Sequence, residues 1–241
     1  MTEGTFTSEE LRDRAIRVRK QITWFMLIAI VMFFAGLTSA YVVSMSGGYW
    51  VDIDVPGPFW ISTAAIVLSS VFAQWALGAA AKGRTSMIAP LLVITLVLGG
   101  VFTWGQFKGW KALTEKGNFL ISKVLDNNGV YGEDYTIRFQ GMPLVLEEGQ
   151  FYHPDDTARI KPLNADLDEQ KNTASSYFYA LTGAHLFHLV FGLLALVVMV
   201  VMAMRRRYTA TDHVGLWSGV VYWHFLGALW VYLLLFLVFV H

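Results

Sequence analysis

The stretch YFYALTGAHLFHLVFGLLALVVMVVMAM, Tyr177 to Met204, decides the fold class, for it contains no Asp, Glu, Lys or Arg. At ~1.5 Å of rise per residue, such a helix is long enough to cross a hydrocarbon core of ~30 Å. Four further runs meet the same test: Ile22–Ser44, Pro58–Ala80, Ser86–Phe107 and Gly215–Val240. None of them carries a charged side chain either. The first is not a cleaved signal peptide, because its apolar run far exceeds the ~7–15 residues of a signal core. The chain as a whole is 55% hydrophobic and 15% charged, against roughly 25% charged in an average soluble domain. An all-α integral membrane protein with five transmembrane helices is expected.

Basic residues orient it. Arg12, Arg14, Arg17, Arg19 and Lys20 precede the first span, Lys82 and Arg84 lie between the second and third, and Arg205, Arg206 and Arg207 follow the fourth. The loop from Met45 to Val55 has no Lys or Arg, only Asp52 and Asp54. By the positive-inside pattern, the N-terminus is cytoplasmic and the C-terminus lies outside. Four regions follow: a cytoplasmic N-terminal helix over residues 1–21, three spans within 22–107, an outer insertion over 108–176, and two spans within 177–241.

The N-terminal TFTSEELRDRAIRVRKQ reads as a helix running into the first span, and Thr7 with Glu10 has capping-box spacing. Its arginines serve as a topology anchor or meet lipid headgroups or a partner. The outer insertion carries eight Lys/Arg against eleven Asp/Glu, a net charge of −3. Within it, YTIRFQ and MPLVLEEGQFYH alternate apolar and polar residues and suggest a small hairpin or two. The later DDTARIKPLNADLDEQKN reads as a polar connector. A loop this long usually has a task, here a cap facing a partner, with a passive insertion as the alternative.

Composition also excludes classes of function. The net charge is zero and gives no basic field for nucleic acid. With no cysteine, disulfides, thiolate catalysis, iron–sulfur ligation and thiolate copper sites are ruled out.

The polar groups inside the spans are few, and His185, His188 and His224 stand out. Intramembrane histidines are functional candidates because burying polar groups in lipid is costly. His185 and His188, three apart, share a helix face; His185 and His224 sit near middle depth and could approach across a helix pair. Two histidines on one face do not clamp a single haem, and a catalytic zinc needs about three protein ligands. No carboxylate is present at that depth to orient the rings or complete a proton relay. Ser218 with His224 would resemble a serine–histidine pair, but LWSGV lacks the GxSxG elbow. Two readings stay open: histidines hydrogen-bonded between helices, or a stand-alone membrane enzyme or cofactor protein using all three.

Small residues four apart, Gly36 and Ala40, Ser69 and Ala73, Ala180 and Ala184, and Gly105 with Gly109, allow close helix approach. Aromatics at the span ends, including Trp24, Tyr41, Trp50, Trp60, Trp104, Trp110 and Trp217, suit interfacial belts.

YFYALTGAHLFHLVFGLLAL (177–196) and YWHFLGALWVYLLLFLV (222–238) resemble the last two helices of subunit III of haem–copper terminal oxidases, the cytochrome c oxidase subunit III family. The family pattern is a Thr-Gly-x-His-x-x-His helix, then Tyr-Trp-His-Phe and a Trp five residues after the Phe. It is met by Thr182, Gly183, His185, His188, Tyr222, Trp223, His224, Phe225 and Trp230. Phe33, Phe34 and Gly36 fit the first shared helix more loosely. The resemblance covers all five spans, in the family's five-helix form, but not Lys108–Ser176.

It implies an accessory subunit of a proton-pumping oxidase that reduces oxygen to water. Such a subunit binds no haem, copper or other metal and has no catalytic residue. It would support assembly, turnover stability and proton uptake beside subunits I and II, which carry the haem and copper. Membrane lipids would be further partners, with phospholipid as a possible bound group, and an electron-donor complex could meet the outer insertion. The implied location is the bacterial inner membrane, and the motif histidines are implied to be structural. Ile30, Gly227 and Gly109 stand where relatives often carry acidic residues, so no proton-supply role of those carboxylates carries over.

Overall fold

The computed structural model describes residues 7–240, apart from the side chain of Ser8. In chain order the elements are α1 (Ser8–Met45), β1 (Tyr49–Ile53), α2 (Pro58–Ala81), α3 (Thr85–Glu115), a 3₁₀ turn (Val124–Asp126), β2 (Tyr135–Phe139), β3 (Met142–Pro143), β4 (Val145–Glu147), β5 (Gln150–Tyr152), α4 (Asn164–Glu169), α5 (Thr173–Met204) and α6 (Val214–Phe239). Five of the helices are long and apolar enough to cross a membrane. The chain is thus of the all-α membrane class, with small β elements.

Local chemistry sets the helix ends. At the start of α1, the Thr7 amide donates to the Glu10 carboxylate (2.8 Å) and the Glu10 amide to Thr7 Oγ1 (3.3 Å), the expected capping box. From there α1 continues through residues 21 and 22 without a break. Pro58 opens α2, where its missing N–H costs nothing. At the far end of α2 the Gly83 amide donates to Ala80 O (2.9 Å) and the Arg84 amide to Ala79 O (2.9 Å). This closing motif needs a left-handed residue, and Gly83 supplies it at φ 70°. The same motif ends α3 at Gly117, φ 83°, whose amide donates to Thr114 O while that of Asn118 donates to Leu113 O. The helix therefore runs past the expected end at Phe107 to Glu115, since polar residues continue it until a glycine stops it.

The described residues fall into two compact units. One contains the residues up to Phe33, with Ala65–Gly100 and His188–Ala228. Here the Trp223 ring packs so closely that a Cβ on Gly99 of α3 would lie 2.8 Å from its Cη2, and one on Gly192 of α5 3.3 Å from its Cε3. The start of α1 is tied down as well: Arg12 Nη2 donates to Thr211 O (2.6 Å), and Lys20 Nζ sits 5.2 Å above the Trp217 ring. Gly99→Ala is expected to destabilise by about 1–2 kcal/mol, because the new methyl would crowd both the Trp223 ring and Leu193 at 2.8 Å. Gly36→Ala, whose Cβ would meet nothing within 4 Å, should instead gain about 0.5–1 kcal/mol of helix stability. Unfolding of both variants in detergent micelles reads the two signs.

The other unit contains Phe34–Ala64, Val101–Phe187 and the residues from Leu229. The segments that follow α1 and α3 fold in it. β1, from the loop after α1, pairs antiparallel with β2 of the insertion, Tyr49 opposite Phe139 and Ile53 opposite Tyr135, and β3 adds to β2. β4 and β5 form a separate hairpin. Small hairpins were expected in the insertion; the contribution of Met45–Val55 was not, because YWVDI is only five residues long and its partner strand lies far along the chain. The supposed polar connector is also packed: it forms α4, Leu163 and Leu167 are buried, and Asn164 Oδ1 accepts from the Phe151 amide (2.7 Å).

Two expected belt aromatics are core residues instead. Tyr41 and Trp50 are 0% and 2% exposed, and Tyr41 meets Trp50, Tyr177 and Phe236 edge-on at 4.9–5.6 Å between centroids. The β1 strand folding onto α1 covers them. Trp24, Trp60 and Trp104 remain at least half exposed, as a belt requires.

Candidate functional site

The family-motif residues divide between the two units, and each set is built around aromatic side chains. In the unit that holds the sheets, α5 presents Thr182 and His185. Thr182 Oγ1 donates to Phe178 O (2.8 Å), as a helical threonine does, and accepts from Trp110 Nε1 of α3 (3.0 Å). His185 is fully buried, its ring 5.2 Å from that of Trp230 and 5.7 Å from that of Phe102. Trp230 is itself buried between Phe59 and Phe102, and its indole N–H donates to Thr63 Oγ1 of α2 (2.8 Å). One layer further, Gln106 Nε2 of α3 donates to Ser62 Oγ of α2 (2.9 Å). Gly183 is not a contact glycine, for a Cβ there would meet nothing within 4 Å.

In the other unit the motif is carried mainly by α6. Tyr222 Oη donates to the His188 carbonyl (2.9 Å), so it is the backbone of His188, not its ring, that engages Tyr222. The half-buried His188 ring lies 6.2 Å from that of Phe33. Trp223 Nε1 donates to Ser69 Oγ of α2 (2.9 Å). His224 Nε2 lies 3.0 Å from Gln74 Oε1, so the ring donates from Nε2. Phe225 is half-buried. Ser218, the other half of a conceivable serine–histidine pair, instead accepts from Thr23 Oγ1 of α1 (3.1 Å).

One rule covers these contacts. A polar hydrogen in a span must find an acceptor within the protein, because lipid offers none. Here Trp110, Tyr222, Trp223, His224 and Trp230 each direct theirs to a different helix. Interhelical bonds of this kind average about 0.6 kcal/mol each, and their direction fixes helix rotation as much as it adds stability. The arrangement fastens helices. Among the described residues, no group of three or more His, Asp or Glu side chains is placed to hold a metal ion.

Sequence reasoning found the donors but missed the acceptors Thr63, Ser69 and Gln74. Hydroxyls are common in spans and give no signal. Gln74 and Gln106 were legible as amides in otherwise apolar helices and deserved the weight that the histidines received. The three positions where relatives often carry acids are closed or lined by neighbours. Ile30 is buried, a Cβ on Gly109 would lie 2.5 Å from the Phe59 ring, and one on Gly227 3.2 Å from Ser70 Oγ. Gly105 of the same GxxxG face packs against Ser62.

Outside the spans, ion pairs organise the sheet region. The Asp52 carboxylate accepts from Thr136 Oγ1 (3.1 Å) and pairs with Arg138 across the β1–β2 ladder. Burial raises the Asp52 pKa above the usual carboxylate range, against the opposing pull of Arg138 and Thr136. Asp134 is held low by the hydrogen bond from Lys116 (2.8 Å) and by the Val130 amide. Glu147 is held low by Arg159, which donates to it twice. Asp52, Asp54, Glu133 and Asp134 line one cavity of about 310 Å³ with Trp60 and Arg138.

Residues 163–241, which include α5 and α6, match the family model described as cytochrome c oxidase subunit III. Over 83% of this chain and 78% of the relative, it is 25% identical to cytochrome c oxidase subunit 3 of Corynebacterium diphtheriae. The chimpanzee (Pan troglodytes) protein of that name is 22% identical over 97% of this chain and 73% of its own. That of Synechocystis sp. is 38% identical, over 38% of this chain and 36% of its own.

Proposed function

Because this chain belongs to the cytochrome c oxidase subunit III family, we propose that it is an accessory subunit of a proton-pumping haem–copper terminal oxidase. It contributes no redox centre and supports the assembly, turnover stability and proton uptake of the catalytic subunit. Subunits I and II, holding the haem and copper, are its partners in a bacterial inner membrane. Its N-terminus is cytoplasmic and its C-terminus outside. The observation that carries this reading is the use of the motif side chains: Trp223, His224, Trp230 and Tyr222 point their polar hydrogens at acceptors on other helices. Groups used in this way hold a fold in register.

Affinity purification of the full chain from its native membranes tests the reading. The expected result is co-isolation with a haem- and copper-containing subunit and with oxidase activity. Isolation of the chain alone, with stoichiometric haem or metal that is lost when His185, His188 and His224 are replaced, would establish the stand-alone reading instead. His224→Ala is expected to cost about 0.6–1.7 kcal/mol, the range of one interhelical hydrogen bond. It should shorten the active lifetime of the complex during turnover and leave the oxidase haem absorption spectrum unchanged. A changed haem spectrum would count against the accessory role.

The outer insertion faces a partner in this proposal, another subunit or the electron donor complex. Its net charge of −3 supports a basic counterpart, and the exposed Glu133, Asp155 and Asp166 are available to it. Carbodiimide coupling in the purified complex would join these carboxylates to lysines of that partner. Coupling confined to this chain would mean a passive insertion.

A further inference from the structure

The polar contacts between α2, α3, α5 and α6 leave one acceptor over. Gln106 is 1% exposed, and while its Nε2 donates to Ser62 Oγ (2.9 Å), its Oε1 meets no donor among the described residues. The polar hydrogens around it are already committed. Ser62 Oγ and Thr63 Oγ1 both donate to Phe59 O, and Thr182 Oγ1 donates to Phe178 O. The indoles of Trp110 and Trp230 donate to Thr182 and Thr63. Turning the amide over moves the problem without solving it: Oε1 would take the Ser62 hydrogen, and Nε2 would become the group without a partner. A buried amide oxygen with no donor bears its full desolvation cost, and lipid has no hydrogen to give it.

We propose that Gln106 Oε1 holds one buried water molecule, which gives one hydrogen to it and the other to Ser62 Oγ. Ser62 Oγ accepts from Gln106 and donates to Phe59 O, so one of its lone pairs is left for the water. Two such partners meet the requirement for a buried water. The class of ligand follows from the site. A carbonyl oxygen takes a hydrogen-bond donor or a cation, and a cation buried here would be without a counter-charge. α2, α5 and α6 contain no Asp or Glu, and α3 has none before Glu115. At 1% exposure the group is closed to a side chain of another subunit. A small neutral donor remains, and water is that donor. Its way in is short, since Ser62 lies one turn after Pro58, the first residue of α2. Bound there, the water doubles the Gln106–Ser62 join between α2 and α3. The site rests on the burial of Gln106 and not on membership of an oxidase, so its test reads water and not electron transfer.

The full chain, in whatever complex it isolates from native membranes, is placed in oxygen-18 water and given a short synchrotron X-ray pulse. The pulse makes hydroxyl radicals from bound as well as bulk water, and mass spectrometry reads the heavy oxygen added to nearby side chains. Phe59, Phe102 and Phe178 are 0–1% exposed, out of reach of bulk water. Label is expected on at least one of these three rings. Gln106→Met keeps the length of the side chain and removes the acceptor, so that label should fall to background. Trp60, 50% exposed, should stay labelled in both proteins. A cryo-EM map of the unmodified complex gives a second reading that needs no variant: a density peak roughly 2.7–3.2 Å from Gln106 Oε1. No label on the three rings, equal label in Gln106→Met, or a map without that peak would each overturn the proposal. If Gln106→Met opens the bundle, so that label rises on all three rings, the map decides.

Discussion

Trp230→Ala is expected to destabilise the protein by about 3–5 kcal/mol, the range for deleting a fully buried large aromatic side chain. The indole is 0% exposed and meets three other rings, those of His185, Phe59 and Phe102, at 5.2–5.8 Å between centroids. In a span, little of the loss comes from water, because lipid is as apolar as the core; it comes from the packing contacts around the cavity. Loss of the indole N–H also leaves Thr63 Oγ1 without the donor from α6. Trp230→Phe keeps most of the volume and loses the hydrogen bond, so it should recover most of the stability and fall short by about 1 kcal/mol. Unfolding in mixed micelles orders the three proteins. A Trp230→Ala protein as stable as the original would mean that this ring cluster does not hold α6 against α2 and α3.

Gly117→Val is the second large effect, expected at about 2–5 kcal/mol, from ~1–2 for a side chain in the left-handed region and ~1–3 for overpacking. Gly117 has φ 83°, and a Cβ there would run into the backbone carbonyl of Asp126 in the 3₁₀ turn. That carbonyl belongs to the backbone and cannot swing aside as a side chain would. The turn itself is anchored by buried Val124 and by the Val124 amide, bonded to Gln170 O (3.0 Å), so the clash passes into the base of the insertion. Hydrogen exchange should therefore speed up over residues 118–172 while the spans stay protected. Gly83→Ala is the control: its φ is 70°, yet its Cβ would meet nothing within 4 Å, so it should cost only about 1 kcal/mol. Equal effects at the two glycines would show that backbone conformation alone, and not the closure of the insertion, sets the cost at Gly117.

The spans were legible because their signal is additive and local: Ile22–Ser44, Pro58–Ala80, Ser86–Phe107, Tyr177–Met204 and Gly215–Val240 are uncharged runs, and all five correspond to helices. The cap at Thr7 and Glu10 was legible for the same reason, its two bonds lying within four residues. The motif donors could be picked out because an indole or an imidazole in lipid must find a partner. Which partner it finds was not written in the sequence, since Thr63, Ser69 and Gln74 lie 150 to 167 residues away from Trp230, Trp223 and His224. The β1–β2 pairing was not legible for a related reason: Tyr49–Ile53 and Tyr135–Phe139 are far apart in the chain, and each is too short to announce itself alone.

By itself, then, the sequence determined the class of this protein, the number and limits of its apolar spans and the family that its last two helices resemble. Hydropathy, charge and motif spacing are properties of neighbouring residues, and they need no fold to be read. Only the tertiary structure decided that Tyr41 and Trp50 are core and not belt, that the loop after α1 completes the sheet of the insertion, and that Trp223, His224 and Trp230 are each tied to α2. Burial and hydrogen-bond partnership depend on which distant segments meet. A chain can hold the right donors at the right spacing, and the acceptors appear only when the helices are set side by side.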